Sequence, residues 1–154
     1  MALSREYGRS LCVSALLVCT GLLVLAGCGG AKHPPIYRVS GELFVKGEPA
    51  GGARLTLQPE VVSDPKLWPM GYPSAIVQPD GKFQFTSYKE GDGAPEGTYK
   101  LLAKWDDSDG IPNEDPDAPP PLQKIDAKYA DPASTPWTVT VEKKANKLTR
   151  FEVP

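Results

Sequence analysis

The stretch Tyr37-Arg38-Val39-Ser40-Gly41-Glu42-Leu43-Phe44-Val45-Lys46 decides the fold. Tyr37, Val39, Leu43 and Val45 fall on one side with Gly41 among them, while Arg38, Ser40, Glu42 and Lys46 fall on the other. A period of two puts alternate side chains on opposite faces of an extended chain, so this is a half-buried strand and not a helix. Lys46-Gly47-Glu48-Pro49-Ala50-Gly51-Gly52 then supplies the residue types of a turn. Ala53, Leu55 and Leu57 alternate with Arg54, Thr56 and Gln58 in a second strand, which Pro59 ends.

The same period recurs toward the C-terminus. Glu60 to Pro73 is a loop carrying Pro65, Trp68, Pro69 and Tyr72. Ser74 to Gln78 is a short strand; Pro79-Asp80-Gly81 is a turn, and Phe83 and Phe85 then alternate with Lys82 and Gln84, which predicts a hairpin. After the glycine-rich turn Glu90 to Gly97, Tyr99, Leu101, Ala103 and Trp105 share one face of a strand over Thr98 to Trp105. Asp106 to Pro121 is too rich in proline and acid for a helix or a central strand. Leu122 to Tyr129 fits a short strand or a helical turn equally well. Trp137, Val139 and Val141 form the next alternating run, Ala145-Asn146 turns the chain, and Thr149, Phe151 and Val153 close the last strand. About seven short strands are expected. The chain has 17 prolines, all after Gly30, and they break every helical window. The fold class is all-β, an antiparallel β-sandwich.

The N-terminus has a different composition. Arg5 and Arg9 precede an uncharged apolar run, Leu11 to Ala26, that ends in Leu25-Ala26-Gly27-Cys28. A positive segment, an apolar helix-forming segment and small residues at its end are the parts of a secretory signal. The run is shorter than the roughly 20 apolar residues that cross a bilayer. Cleavage after Ala31 would give an ordinary signal but leave Cys28 without a purpose. The ending Leu-Ala-Gly-Cys resembles the lipobox of bacterial lipoproteins. That resemblance implies cleavage between Gly27 and Cys28 and a diacylglyceryl group on the Cys28 sulfur, with palmitate-like acyl chains as the membrane anchor. Small side chains at Ala26 and Gly27 suit a peptidase acting on extended backbone at the membrane surface. The expected organisation is a signal peptide with its helix over 1–27, a flexible tether over 28–35, and a β-sandwich domain over 36–154. Gly29 after the cysteine favours the outer membrane by the sorting rule of Gram-negative lipoproteins.

Charge and cysteines agree with this organisation. The formal net charge is −2, and without Arg5, Glu6 and Arg9 the chain is about one unit more negative. Acidic and basic residues are interspersed, so no nucleic-acid partner is expected. A mildly acidic chain gains nothing from anionic lipid, so membrane attachment has to come from acyl chains, and two or more hold durably. Cys12 and Cys19 lie in the segment to be removed, leaving Cys28 as the one cysteine and no disulfide. His33, the one histidine, sits in the Gly-, Pro-rich tether without ligand partners in the sequence.

The domain carries a second resemblance. Val39-x-Gly41, Gly47-x-Pro49, Gly52-Ala53-x-Leu55, Asp80-Gly81-Lys82-Phe83 and Gly93-Ala94-Pro95-x-Gly97-x-Tyr99 together resemble carboxypeptidase regulatory-like, transthyretin-like domains. The resemblance implies a prealbumin-like (Ig-like) β-sandwich of about seven strands, in which Phe83 and Tyr99 fill the space between sheets. It implies no activity, because such domains are mostly accessory or adhesive modules. The enzymatic branch of transthyretin-like proteins uses histidines, an arginine and a terminal Tyr-Arg-Gly-Ser. This chain has Phe151-Glu152-Val153-Pro154 there and no histidine after His33.

Two stretches are candidate binding sites. The acidic loop holds Asp106, Asp107, Asp109, Glu114, Asp115 and Asp117, and Asp107-Ser108-Asp109-Gly110 partly echoes a calcium loop. Trp105 stands where the first ligand belongs and Pro116 where the terminal glutamate belongs, so a solvated loop is the simpler reading and no metal is assigned. The aromatic set is Trp68, Tyr72, Tyr88, Trp105, Tyr129 and Trp137. Trp105 and Trp137, on strand periodicity, are expected in the core, while Trp68 and Tyr72 either cap the sandwich or stack on a ligand. No nucleophile–base pair or phosphate loop stands out, so neither an enzyme nor a cofactor is expected. The sequence therefore points to a membrane-anchored envelope lipoprotein, a non-catalytic structural or protein-interaction module whose partner is another envelope protein. The alternative is a carbohydrate- or calcium-binding module using the loop end.

Overall fold

The computed structural model describes residues 33–61, 67–107 and 121–154. The signal segment, the Gly27–Cys28 cleavage site, the lipidation site Cys28 and the loop acids Asp109, Glu114, Asp115 and Asp117 lie outside the described residues. The described chain is all-β. Its strands are β1 (Ile36–Tyr37), β2 (Val39–Val45), β3 (Glu48–Pro49), β4 (Arg54–Pro59), β5 (Ser74–Ile76), β6 (Lys82–Gln84), β7 (Ala94–Pro95), β8 (Gly97–Lys104), β9 (Thr138–Val141), β10 (Asn146–Lys147) and β11 (Phe151–Val153). These segments exceed the seven expected because several are two-residue pairings at strand ends, too short to leave an alternation in the sequence.

Two sheets carry most of the domain. One is four-stranded and antiparallel, in the order β5-β4-β8-β9. Its register places Leu57 opposite Leu101 and Tyr99 opposite Val139, so the apolar positions line up across strands on one face. The other sheet is built around β2, which pairs with β6 and β3 antiparallel. Along β2, Val39, Gly41, Leu43 and Val45 are buried and the residues between them are half-exposed, as the alternation predicts. Val39 and Leu43 from β2, Phe83 from β6, and Leu55, Leu57 and Leu101 from the first sheet belong to one buried cluster. The core therefore lies between the inward faces of the two sheets. The buried hydroxyls are also satisfied: Thr135 donates to the Leu101 carbonyl at 2.9 Å, and Ser87 to that of Gly93 at 2.7 Å.

The topology departs from the antiparallel expectation. β10 and β11 both run parallel to β2, with Asn146 opposite Val39 and Phe151 opposite Leu43. The turn after β9 is held by Asn146, whose side chain accepts from the Glu142 N–H and donates to the carbonyls of Glu142 and Lys144. That turn carries the chain from one sheet to the other and sets it down alongside β2. Strand direction after such a crossing is a long-range property, which local alternation does not encode.

The hairpin expected around Asp80-Gly81 is split. β5 pairs with β4 in one sheet, and β6 pairs with β2 in the other. The two are joined to each other by the Gln78 N–H to the Lys82 carbonyl (2.7 Å) and by the Ser74–Thr86 bridge. Between these two points the strands diverge, and Ile76 and Gln84, which a continuous hairpin would pair, form no bridge. The ambiguous Leu122–Tyr129 stretch resolves into a 3-10 turn, Ala127–Ala130, whose N-cap Asp126 accepts from the Lys128 N–H. The last strand begins at Phe151 rather than Thr149.

Candidate functional site

The aromatic residues separate into three places. Trp137 stands just before β9, half-buried, with its ring 4.7 Å from Tyr129 and 5.2 Å from Phe151. Trp105 packs against the core, donates from Nε1 to the Gly51 carbonyl at 3.1 Å and carries the Lys124 ammonium over its ring at 5.1 Å. Both are half-buried and pack against the core from its edge, whereas strand periodicity puts them inside it. Trp68 and Tyr72 meet edge-to-face at 5.6 Å. Trp68 is half-buried and borders a cleft of about 380 Å³ together with Pro59, Glu60, Pro95, Glu96 and Tyr99.

Several polar groups in and beside that cleft are engaged. Glu60 lies 3.6 Å from the Lys100 ammonium and Glu96 lies 3.3 Å from that of Lys143. The Tyr88 hydroxyl donates to the Leu67 carbonyl and the Tyr99 hydroxyl to that of Pro95. Burial, with Tyr88 nearby as a smaller influence, pushes the Tyr99 phenol from its ordinary 10.0 up to about 12. A raised phenol pKa in the folded state stabilises the fold below the unfolded value, and that contribution is lost as pH climbs from 10 toward 12. Alkaline unfolding followed by near-UV circular dichroism is therefore expected to move to higher pH in Tyr99→Phe, which has no phenol to ionise. An unchanged alkaline midpoint would show that Tyr99 does not control it.

The acidic loop contributes structure at its root. Asp106 forms a bridge with Gln123, and the Asp107 carboxylate accepts from the Leu122 N–H at 2.8 Å. These contacts fasten together the two ends of the loop. Among the described residues, no three of His, Cys, Asp and Glu come together in a way that could hold a metal ion. His33 is exposed at the head of the described chain.

A third place was not singled out from the sequence: the outward face of the β2 sheet. The register aligns Gln84, Ser40 and Lys147 in one cross-strand row, and Lys82 and Glu42 in the next. Arg150 lies over the Phe44 ring at 3.5 Å and donates to Glu152 from Nε at 3.1 Å and from Nη2 at 2.9 Å. Lys82 is 2.7 Å from Asp80, and this hydrogen bond, with the charges of Asp80 and Glu42, raises its pKa and keeps it cationic. These side chains border a concavity of about 470 Å³, and a second of about 530 Å³ opens where β5 and β6 diverge. Gln78 and Gln84 line both. In the sequence Ser40, Glu42, Lys82 and Gln84 are simply the solvent side of two strands. Only the pairing of β2 with β6 and β10 brings them together.

No protein-family model and no curated protein matches the chain. Among solved structures, a Pseudomonas aeruginosa protein described as a candidate carbohydrate binding protein is similar over 79% of this chain and 90% of its own, at 15% identity and a TM-score of 0.42. A likeness of that level carries no functional weight.

Proposed function

We propose that this protein is a lipid-anchored module of the bacterial cell envelope that acts by non-catalytic recognition. The Leu25-Ala26-Gly27-Cys28 lipobox supplies the anchor, residues 28–35 the tether, and a transthyretin-like, prealbumin-like sandwich over 36–154 the working domain. The observation that carries the reading is a spacing. Cys28 stands eight residues before Ile36, where β1 begins, and the segment between is rich in glycine and proline. Such a segment spans at most about 28 Å, so an acyl group on Cys28 holds the domain close to the membrane surface. Further support comes from Phe83 and Tyr99, which are buried in the shared core as the transthyretin-like resemblance implies. The partner on this reading is another envelope protein, and Gly29 after the cysteine favours the outer membrane by the Gram-negative sorting rule.

Fractionation tests it. Native protein is expected in the membrane pellet after a high-salt wash and in the detergent phase, whereas Cys28→Ala is expected to be lost from both. Retention of Cys28→Ala in salt-washed membranes would overturn the lipid anchor. A second reading, a ligand-binding module, is favoured by the polar concavities on the β2 sheet and at the β5–β6 split.

A further inference from the structure

We propose that the outward face formed by β6, β2 and β10 binds an anionic oligosaccharide, with Lys147 and Arg150 taking the acid group and Gln78 and Gln84 the hydroxyls. This deepens the ligand-binding reading and fixes its site on a sheet face, away from the loop end.

The shape comes first. Two concavities of about 470 and 530 Å³ adjoin on this face, with Gln78 and Gln84 lining both. Each has the size of a small-molecule site, and together they suit a short chain of sugar rings better than one compact metabolite. The far half exists because β5 and β6 enter different sheets. The strand edges at Ile76 and Gln84, unpaired with each other, flank that half.

The chemistry selects the ligand. At one end, Lys147 has no ion-pair partner among the described residues. Arg150 is held in place by the Phe44 ring and by Glu152. Glu152 takes Nε and one N–H of Nη2, and the stacked guanidinium presents its remaining Nη N–H groups to a carboxylate or phosphate at little further entropic cost. The lining of this end holds three cations, Lys82, Lys147 and Arg150, against one carboxylate, Glu42, with Asp80 and Glu152 paired to Lys82 and Arg150 beside it. Toward the other end the lining turns to amide and hydroxyl groups from Gln78, Gln84, Ser74 and Thr86, with Glu90 at the rim. Primary amides offer adjacent donors and acceptors, the pattern that neighbouring hydroxyls of a sugar ring match. An extended peptide would instead need apolar pockets for alternate side chains. Ile76, 64% exposed, is the one large apolar side chain available along this half.

The test is calorimetric titration of the full-length protein in detergent micelles with trigalacturonate, maltotriose and inorganic phosphate. This reads the groove whether or not Cys28 carries lipid, so failure here leaves the anchor untouched, and failure of fractionation leaves the groove untouched. Trigalacturonate is expected to bind with an affinity that falls as salt rises, and maltotriose to bind at least about tenfold more weakly, the worth of one charge-assisted hydrogen bond. Lys147→Gln with Arg150→Gln should weaken trigalacturonate by at least about tenfold on the same grounds. Lys143→Gln, outside the groove, should leave it unchanged. Equal binding of the charged and neutral trisaccharides, indifference to the double substitution, or no binding by either overturns the proposal. Phosphate alone matching trigalacturonate would show a bare anion site and overturn the saccharide assignment.

Discussion

Replacing Gly93 by alanine is expected to cost at least about 4 kcal/mol or to abolish folding, an effect reserved for forced backbone displacement. A Cβ at this position would stand 1.9 Å from the Tyr37 carbonyl oxygen and 2.6 Å from its carbon, in a residue whose φ is +104°. Neither side can yield. Tyr37 is held in β1 opposite Ala94, the residue after the glycine. Gly93 itself donates to the Phe85 carbonyl at 2.9 Å and accepts from the Ser87 hydroxyl at 2.7 Å. The preceding loop is equally tied, because the Asp92 carboxylate accepts from the N–H groups of Ser87, Tyr88 and Lys89. Gly47→Ala is the control: its φ is +83°, but nothing lies within 4 Å of the added methyl. It should cost only the conformational strain of roughly 1–2 kcal/mol. Urea unfolding of the two variants separates clash from strain, and equal losses would show that the Tyr37 contact is not decisive.

The second large effect is expected at Phe83. Its ring is 1% exposed, meets Phe85 edge-to-face at 5.4 Å and stacks on Phe151 at 6.4 Å, joining β6 to β11 beneath β2. Truncation to alanine removes a buried aromatic and leaves a cavity, so the loss should be about 3–5 kcal/mol. The ring also explains why β2 has a glycine at its centre. A Cβ on Gly41 would come within 2.7 Å of the Phe83 ring and 3.2 Å of Leu148. Gly41→Ala should therefore destabilise the native protein yet be nearly neutral, or helpful, beside Phe83→Ala, where the methyl fills vacated space. Strictly additive losses in the double variant, measured by denaturant titration, would mean that glycine and ring do not share that volume.

Much of the architecture was legible because burial in a strand follows a period of two. The alternation of Val39, Leu43 and Val45, of Leu55 and Leu57, of Phe83 and Phe85, and of Tyr99, Leu101 and Ala103 all mark buried side chains. What local sequence could not carry was partnership. Lys82-Phe83-Gln84 has the same pattern whether it pairs with β5 or with β2, and only assembly of both sheets decides for β2. The parallel placement of β10 and β11 depends on where the chain lands after Asn146, a matter of three-dimensional closure. The groove was hidden for the same reason, since Ser40, Gln84 and Lys147 are far apart in sequence and adjacent only through register. The aromatic set was half legible: strand position indicated that Trp105 and Trp137 pack, but nothing local places Trp68 against Tyr72.

Membrane attachment depends on chemistry at a single sulfur, and intact-mass and peptide mass spectrometry of protein purified from its own membranes tests it directly. The expected result is a chain beginning at Cys28 that carries a diacylglyceryl adduct, with residues 1–27 gone. A free thiol at Cys28, or a chain that still carries the preceding residues, would contradict it.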